Sequence, residues 1–147
     1  MTQGQVALDS SVGYALKQAA SALRGSMEDA LAPLGLTVSQ YSCLELLRQR
    51  PGLSASELAR GTFVTRQSMQ TLLHGLLDRG LLARPERPER GRALPTELTP
   101  DGLVLVEDAS AVVAGVEERM LASLAPAARA ELLDALASCV ASLAHGS

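Results

Sequence analysis

The chain of 147 residues has few aromatic side chains, with two Tyr, one Phe and no Trp. It also lacks Ile and Asn, and a single Lys accompanies twelve Arg. Proteins that recognise single-stranded nucleic acid by stacking its bases need several exposed rings. The scarcity of aromatics therefore argues against that mode of recognition, and the abundance of Leu and Ala favours helices packed on helices over a β-sandwich.

Cysteine and histidine are equally scarce. Cys43 and Cys139 lie far apart and form no cluster with His74 or His145, so neither a disulfide framework nor a zinc site is predicted. No window approaches the roughly 18 apolar residues of a membrane span, and the N-terminus lacks a signal-peptide pattern. We therefore expect a reduced, cytoplasmic protein that is not attached to a membrane and holds no metal or cofactor.

Catalytic motifs are also missing. The sequence contains no phosphate-binding glycine loop, no Ser/His/Asp set and no close pair of carboxylates in an apolar setting, so an enzyme is not expected. Hydrophobic residues make up 47% of the chain, which is enough for one full core. One compact domain spanning 1–147 is the resulting prediction.

Apolar residues at helical spacing predict a chain of six helices. The predicted helices cover residues 6–33, 37–50, 54–60, 65–79, 100–124 and 126–145. Two capping boxes mark helix starts, Thr37 with Gln40 and Ser54 with Glu57. We expect Gly61 to end the third helix and Gly80 to end the fourth in a left-handed conformation.

Beyond Gly80 the pattern changes to two short apolar segments that flank a polar stretch rich in Pro and Arg. This pattern predicts a β-hairpin with a long tip between 81–84 and 93–98. Pro95 lacks an amide donor, which restricts the hairpin to a two-stranded wing. A solvated loop of mixed charge is the alternative for the tip.

A short helix, a turn, a longer helix and a hairpin in this order predict a winged helix-turn-helix. The expected fold is mainly α, with a DNA-binding lobe at 37–99 and a helical dimerisation lobe at 6–33 and 100–145. The apolar stripes of the first helix and the last two helices exceed what a small domain needs, so we expect a homodimer. A self-contained monomeric bundle is the alternative.

The charge distribution agrees with this division. The net charge is −3, but residues 37–99 hold nine Arg against six acids, a balance of +3. The rest of the chain holds four basic residues against ten acids, a balance of −6. Basic charge is thus concentrated in the segment that would face phosphates.

The polar face of the fourth predicted helix carries side chains that can read a duplex. Arg66 can donate to guanine or phosphate, Gln67 and Gln70 can pair with adenine, and Thr71 can contact a thymine methyl group. His74 either contacts a phosphate or lies on the solvent face. Ordinary solvent-exposed helix residues are the alternative for the whole set.

Several motifs resemble the multiple antibiotic resistance regulator (MarR) family of bacterial winged-helix repressors. They are Leu53–Arg60 (LSASELAR), Val64–Ser68 (VTRQS), Leu76–Leu82 (LLDRGLL), Gly91–Leu94 (GRAL) and Leu98–Gly102 (LTPDG). The resemblance implies an obligate homodimer that binds a pseudo-palindromic operator. It also implies release by a small anionic or phenolic ligand or, in one branch, by thiol oxidation.

By the same resemblance, the groove-reading helix falls on Thr65–Arg79 and the minor-groove arginine of the wing falls on Arg92. The family usually has Asp two positions before that arginine, whereas this chain has Arg90. Either Glu89 or Glu97 takes over the pairing that this Asp makes with the arginine in the family, or the wing is more mobile and more cationic. We hypothesise that Arg90 joins Arg87 and Arg92 in contacting phosphates. The predicted DNA-binding residues are Thr65, Arg66, Gln67, Gln70, Thr71, His74, Arg87, Arg90 and Arg92.

The family resemblance also implies a ligand pocket lined by the first, second and fifth helices. Tyr14, Gln18 and Tyr41 are the polar candidates there, and an ordinary packing role is the alternative for each. A regulator without an effector is a further alternative. The first helix lacks the cysteine of the peroxide-sensing members, and Cys43 is predicted to be buried and inert, so peroxide is not expected to release the protein from DNA.

The sequence thus favours a transcriptional regulator, most simply a repressor, whose partners are double-stranded DNA and a second copy of the chain. The alternative function is a winged-helix module for protein association without specific DNA binding. Such a module would lack a basic, hydrogen-bonding face, which argues against it here.

Overall fold

The computed structural model describes residues 4–84 and 96–145. Within these ranges the chain is mainly α-helical, as predicted, and its two short strands form an antiparallel hairpin. The helices are α1 (Val12–Leu31), α2 (Val38–Gln49), α3 (Ala55–Thr62), α4 (Arg66–Asp78), α5 (Pro100–Met120) and α6 (Pro126–His145). The strands are β1 (Leu82–Ala83) and β2 (Glu97–Leu98), and two 3₁₀ turns cover Leu8–Ser10 and Ala32–Leu34.

Both predicted capping boxes are confirmed. The Thr37 hydroxyl accepts from the Gln40 amide at 3.1 Å, and the Gln40 side-chain oxygen accepts from the Thr37 amide at 3.0 Å. Ser54 and Glu57 make the equivalent pair of bonds at 3.2 and 3.0 Å. These reciprocal bonds satisfy orphan amides of the first turn and so fix where α2 and α3 begin.

Two helix ends differ from the prediction. The first helix begins at Val12 and not at residue 6, because the Ser11 hydroxyl accepts from the Tyr14 amide at 3.1 Å and caps α1 there. Helix α5 ends at Met120 and not near Leu124. Residues 121–124 form a tighter turn ahead of Pro126, whose ring disfavours helical backbone in the residue before it.

The expectation that Gly61 ends the third helix is wrong. Gly61 lies inside α3, and a Cβ atom there would sit 2.4 Å from Leu46 Cδ2. This glycine therefore allows α3 to pack closely on α2. The helix ends instead at Phe63, which adopts a left-handed conformation (φ 62°) and donates its amide to the Ala59 and Arg60 carbonyls.

The core lies between the C-terminal end of α1, helices α2 to α4 and the first half of α5. Its large, fully buried side chains are Leu31, Cys43, Leu44, Leu58, Met69, Leu73, Leu76 and Val106. The three from α4 recur at helical spacing, so one face of that helix is held in the core.

The hairpin pairs Leu82 with Leu98 and joins the core to the start of α5. The Thr99 amide donates to the Leu81 carbonyl at 3.1 Å, and the Thr99 hydroxyl donates to the Gly80 carbonyl at 2.6 Å. Gly80 has the predicted left-handed conformation (φ 72°). The predicted tip of the wing, including Pro95, lies outside the described residues.

Helix α6 has no buried residue in the single chain. Leu133 and Val140 are each 70% exposed, and Leu143 is 83% exposed. Val6 and Val12, near the start of α1, are each 75% exposed. These apolar surfaces belong to the helices that the sequence assigns to dimerisation. No helix among residues 4–84 and 96–145 combines the length and apolarity needed to cross a bilayer.

Gly102→Ala is expected to destabilise the fold by about 3 kcal/mol or more, because an added methyl group cannot be accommodated against a main-chain carbonyl. A Cβ atom there would lie 2.1 Å from the Leu81 carbonyl oxygen. Gly75→Ala is the control, because a Cβ atom there meets nothing within 4 Å. It should stabilise α4 by about 0.5–1 kcal/mol. Denaturant unfolding measures both, and equal effects would contradict the packing argument.

The Cys43 thiol is expected to be unreactive in the native protein. Burial raises its pKa to about 12, which leaves about one thiolate in ten thousand at pH 8. In a Cys139→Ser variant, a disulfide reagent should therefore label no thiol before denaturation and one thiol after it. Rapid labelling of that native variant would contradict the buried, inert state.

Candidate nucleic-acid interface

The helix-turn-helix consists of α3, the turn through Phe63–Thr65, and α4. The Thr65 hydroxyl accepts from the Ser68 amide at 3.0 Å and donates to the Ser68 hydroxyl at 2.9 Å, which fixes the start of α4. Because the apolar side of α4 is buried in the core, its polar side faces solvent.

The structure brings together all six residues predicted for the polar face of this helix. Thr65, Arg66, Gln67, Gln70, Thr71 and His74 are all exposed. The Thr71 hydroxyl donates to the Gln67 carbonyl at 3.3 Å. Within residues 4–84 and 96–145, the side chains of Arg66, Gln67, Gln70 and His74 make no hydrogen bond. In the part of the chain that the structure describes, no other group occupies their donors and acceptors.

A groove of about 550 Å³ separates this face from the start of α2. Thr37 and Gln40 line it from α2, and Thr65, Gln67, Ser68 and Thr71 line it from the α4 side. Sequence reasoning identified Gln40 as a capping residue but missed its place beside α4. The spacing along the chain gave no signal for that, because the juxtaposition comes from packing between distant segments.

The arginines of the basic segment, residues 37–99, differ in the contacts that they make. Arg79, at the end of α4, donates to the Gly35 carbonyl at 2.9 Å and so attaches that helix to the turn after α1. Arg48 pairs with Glu45 within α2, where its Nε lies 3.2 Å from a carboxylate oxygen. Arg66 is left on the exposed face. The three predicted wing arginines, Arg87, Arg90 and Arg92, lie outside the described residues.

Helices α2 and α5 are joined by a partly buried polar cluster. The Ser110 hydroxyl on α5 donates to a Glu45 carboxylate oxygen at 3.5 Å, and Arg48 donates to Ser110 at 3.5 Å. Partial burial acts to raise the pKa of Glu45, but hydrogen bonds from Arg48 and Gln49 outweigh it and hold the pKa below its usual value. The cluster therefore contains an ionised carboxylate that links the two helices.

The three predicted effector residues occupy different environments. Tyr41 is buried, and burial raises its pKa above the usual value of 10.0. Tyr14 and Gln18 are exposed on α1. Tyr41 lines a shallow pocket of about 230 Å³ between α2 and α3, to which neither Tyr14 nor Gln18 contributes.

A second cavity, of about 270 Å³, lies between α1 and α5. Its lining residues are Ala19, Ala22, Leu23, Ser26, Val116, Arg119 and Met120. Apolar walls with one guanidinium group are suited to a small anion that has an apolar body. Sequence reasoning missed Arg119, which is exposed in the single chain and lines the cavity only because α1 packs beside α5.

Comparison with known proteins identifies transcriptional regulators as relatives of this chain. A family model described as "MarR family" matches residues 34–93. The HTH-type transcriptional repressor Rv2887 of Mycobacterium tuberculosis is 46% identical over 116 residues, which cover 79% of this chain and 84% of that protein.

Solved structures of two proteins resemble the whole fold. Rv2887 in complex with DNA is 40% identical with a TM-score of 0.75, covering 89% of this chain and 98% of that one. Its complex with salicylic acid is 42% identical with a TM-score of 0.74, covering 89% and 97%. The transcriptional repressor CouR, bound to a 23-mer DNA duplex, is 30% identical with a TM-score of 0.82, covering 93% and 99%.

The winged helix-turn-helix arrangement, the exposed polar face of α4 and the identity over most of the chain all lead to the same family. This chain belongs to the MarR family of transcriptional regulators.

Proposed function

We propose that this chain is a homodimeric repressor that binds double-stranded DNA sequence-specifically. The observation that carries the proposal is the exposed face of α4, where Arg66, Gln67, Gln70 and His74 make no side-chain hydrogen bond among the described residues, while the opposite face is buried in the core. The complexes of Rv2887 and CouR with DNA support it by similarity.

In the proposed complex, α4 enters the major groove. Arg66 donates to guanine or phosphate, Gln67 and Gln70 pair with adenine edges, and Thr71 contacts a thymine methyl group. His74 contacts a phosphate, and the cap residue Thr65 lies at the leading end of the helix. Arg87, Arg90 and Arg92 of the wing contact the adjacent minor groove and its phosphates, a proposal that rests on the sequence alone.

A second copy of the chain is the partner proposed for the exposed apolar residues of α6 and of the N-terminal segment. Apolar patches of this kind on a small domain mark association surfaces. A two-fold dimer places two α4 helices in successive major grooves, about 34–36 Å apart. The operator is then a pseudo-palindrome.

The proposed effector is a small anionic or phenolic molecule, since the relative Rv2887 has been solved with salicylic acid. Arg119 in the cavity between α1 and α5 is the group best placed to hold a carboxylate, and Tyr14, Gln18 and Tyr41 are further candidates. Such a ligand would favour one spacing of the two α4 helices over another, so it must bind the two states with different affinity.

The known relatives are regulators and not enzymes. We propose that this chain likewise lacks catalysis and acts in the cytoplasm, where its operator would be. In the part of the chain that the structure describes, no group of three or more His, Cys, Asp or Glu side chains could hold a metal ion.

Gln67→Ala and Gln70→Ala are expected to weaken operator binding by about 1–3 kcal/mol per lost base contact, with much less effect on non-operator DNA. Gln5→Ala is the control, because Gln5 is exposed in the segment ahead of α1. Fluorescence anisotropy at two salt concentrations measures the affinities. Failure of the unmodified protein to bind any DNA at low salt would favour the protein-association module instead.

The protein is expected to have twice the chain mass of 15.4 kDa in analytical ultracentrifugation. Leu143→Glu should shift it towards the monomer, because a carboxylate would be buried in the apolar contact. Ser138→Glu, on the opposite side of α6 by helical periodicity, should leave the mass unchanged. A monomer at all concentrations of the unmodified protein would contradict the proposed dimer.

A further inference from the structure

The groove between α2 and α4 differs from the rest of the proposed DNA-binding surface because its described polar lining consists only of hydroxyl and amide groups. It is continuous with the exposed face of α4, since Thr65, Gln67 and Thr71 belong to both. Whatever lies against α4 therefore also lies against the opposite wall. Gln40, on α2, is part of that wall.

The hydrogen bonds of Gln40 and Ser68 inside the groove occupy an acceptor of each side chain and leave its donors free. The Gln40 oxygen accepts from the Thr37 amide at 3.0 Å, which settles the orientation of the Gln40 side-chain amide. Its Nε2 group then faces outward with two hydrogens and, among the described residues, no acceptor. The Ser68 hydroxyl accepts from Thr65, so its own hydrogen is also available.

The free donors of Gln40 and Ser68 match a phosphate oxygen, which can only accept. Base pairs, in contrast, present both donors and acceptors to the major groove. In helix-turn-helix complexes, the first helix of the motif, which is α3 here, crosses the DNA backbone at the edge of the major groove. The start of α2 borders the exposed face of α4 across the groove, so a DNA backbone that flanks α4 also passes Gln40.

We propose that Gln40 donates its Nε2–H to a backbone phosphate of the operator, with the Ser68 hydroxyl as a second donor to the same phosphate group. The inference rests on the proposed DNA-binding function and adds a contact that the recognition face alone does not supply. Because the capping box holds Gln40 rigidly, this contact fixes how deeply α4 enters the major groove.

Gln40→Glu separates this contact from folding. Glutamate at the third position of a capping box accepts from the Thr37 amide as well as glutamine does, so the free energy of unfolding should equal or exceed that of the unmodified protein. The substitution replaces both donors with a carboxylate, which repels phosphate. Affinity for DNA should therefore fall by more than about tenfold.

Gln40→Ala removes the donors without adding charge and should weaken binding by about tenfold. The loss should be the same for operator and non-operator DNA, because a phosphate contact carries no sequence information. Gln5→Ala, in the exposed segment ahead of α1, is the control and should not change affinity. Ethylation-interference mapping should lose one symmetrical pair of phosphate positions in Gln40→Ala.

Full DNA affinity in Gln40→Glu would overturn the assignment. A loss in Gln40→Ala that is confined to the operator would also overturn it, since that pattern indicates a base contact. If the unmodified protein binds no DNA, the proposed function itself fails. The two results above contradict only the Gln40 contact, because in both of them the unmodified protein binds DNA. Two results together support the phosphate contact. Gln40→Ala loses the same affinity for operator and non-operator DNA, and Gln40→Glu loses affinity while keeping the free energy of unfolding.

Discussion

Burial of one face of α4 is the constraint on which the rest of the site depends. Met69, Leu73 and Leu76 are completely inaccessible, and they fix the rotation of the helix about its axis. Arg79 fixes its far end by donating to Gly35, and the Thr65 cap fixes its near end. The backbone of the exposed side is therefore fixed before binding, so only the rotamer entropy of its side chains is lost when DNA binds.

The second constraint is the close contact between β1 and the start of α5. Gly102 lets the helix approach the Leu81 carbonyl to a distance that no side chain would allow. The cluster of Glu45, Arg48 and Ser110 adds a second attachment between α2 and α5. Together these contacts join the winged lobe rigidly to a helix of the proposed dimer, so a change in dimer geometry moves α4 as a whole.

Much of the fold was predictable because its signals are local. Capping boxes, helix periodicity and the left-handed Gly80 depend on residues a few positions apart, and the structure has each of them as predicted. The role of Gly61 was mispredicted because its constraint comes from Leu46 on another helix. Gln40 beside α4 and Arg119 in a cavity were missed for the same reason. The proposed roles of Arg87, Arg90 and Arg92 rest on the sequence, because these residues lie outside the described part of the chain.

The exposure of α6 has a consequence for the folding equilibrium itself. Helices in proteins gain most of their stability from the packing of an apolar face, and no residue of α6 is buried in the single chain. The free energy that orders it in the proposed dimer must come from the second chain, so its helicity depends on protein concentration. The cellular abundance of such a regulator would then determine both how many operators are filled and how much of each chain is folded.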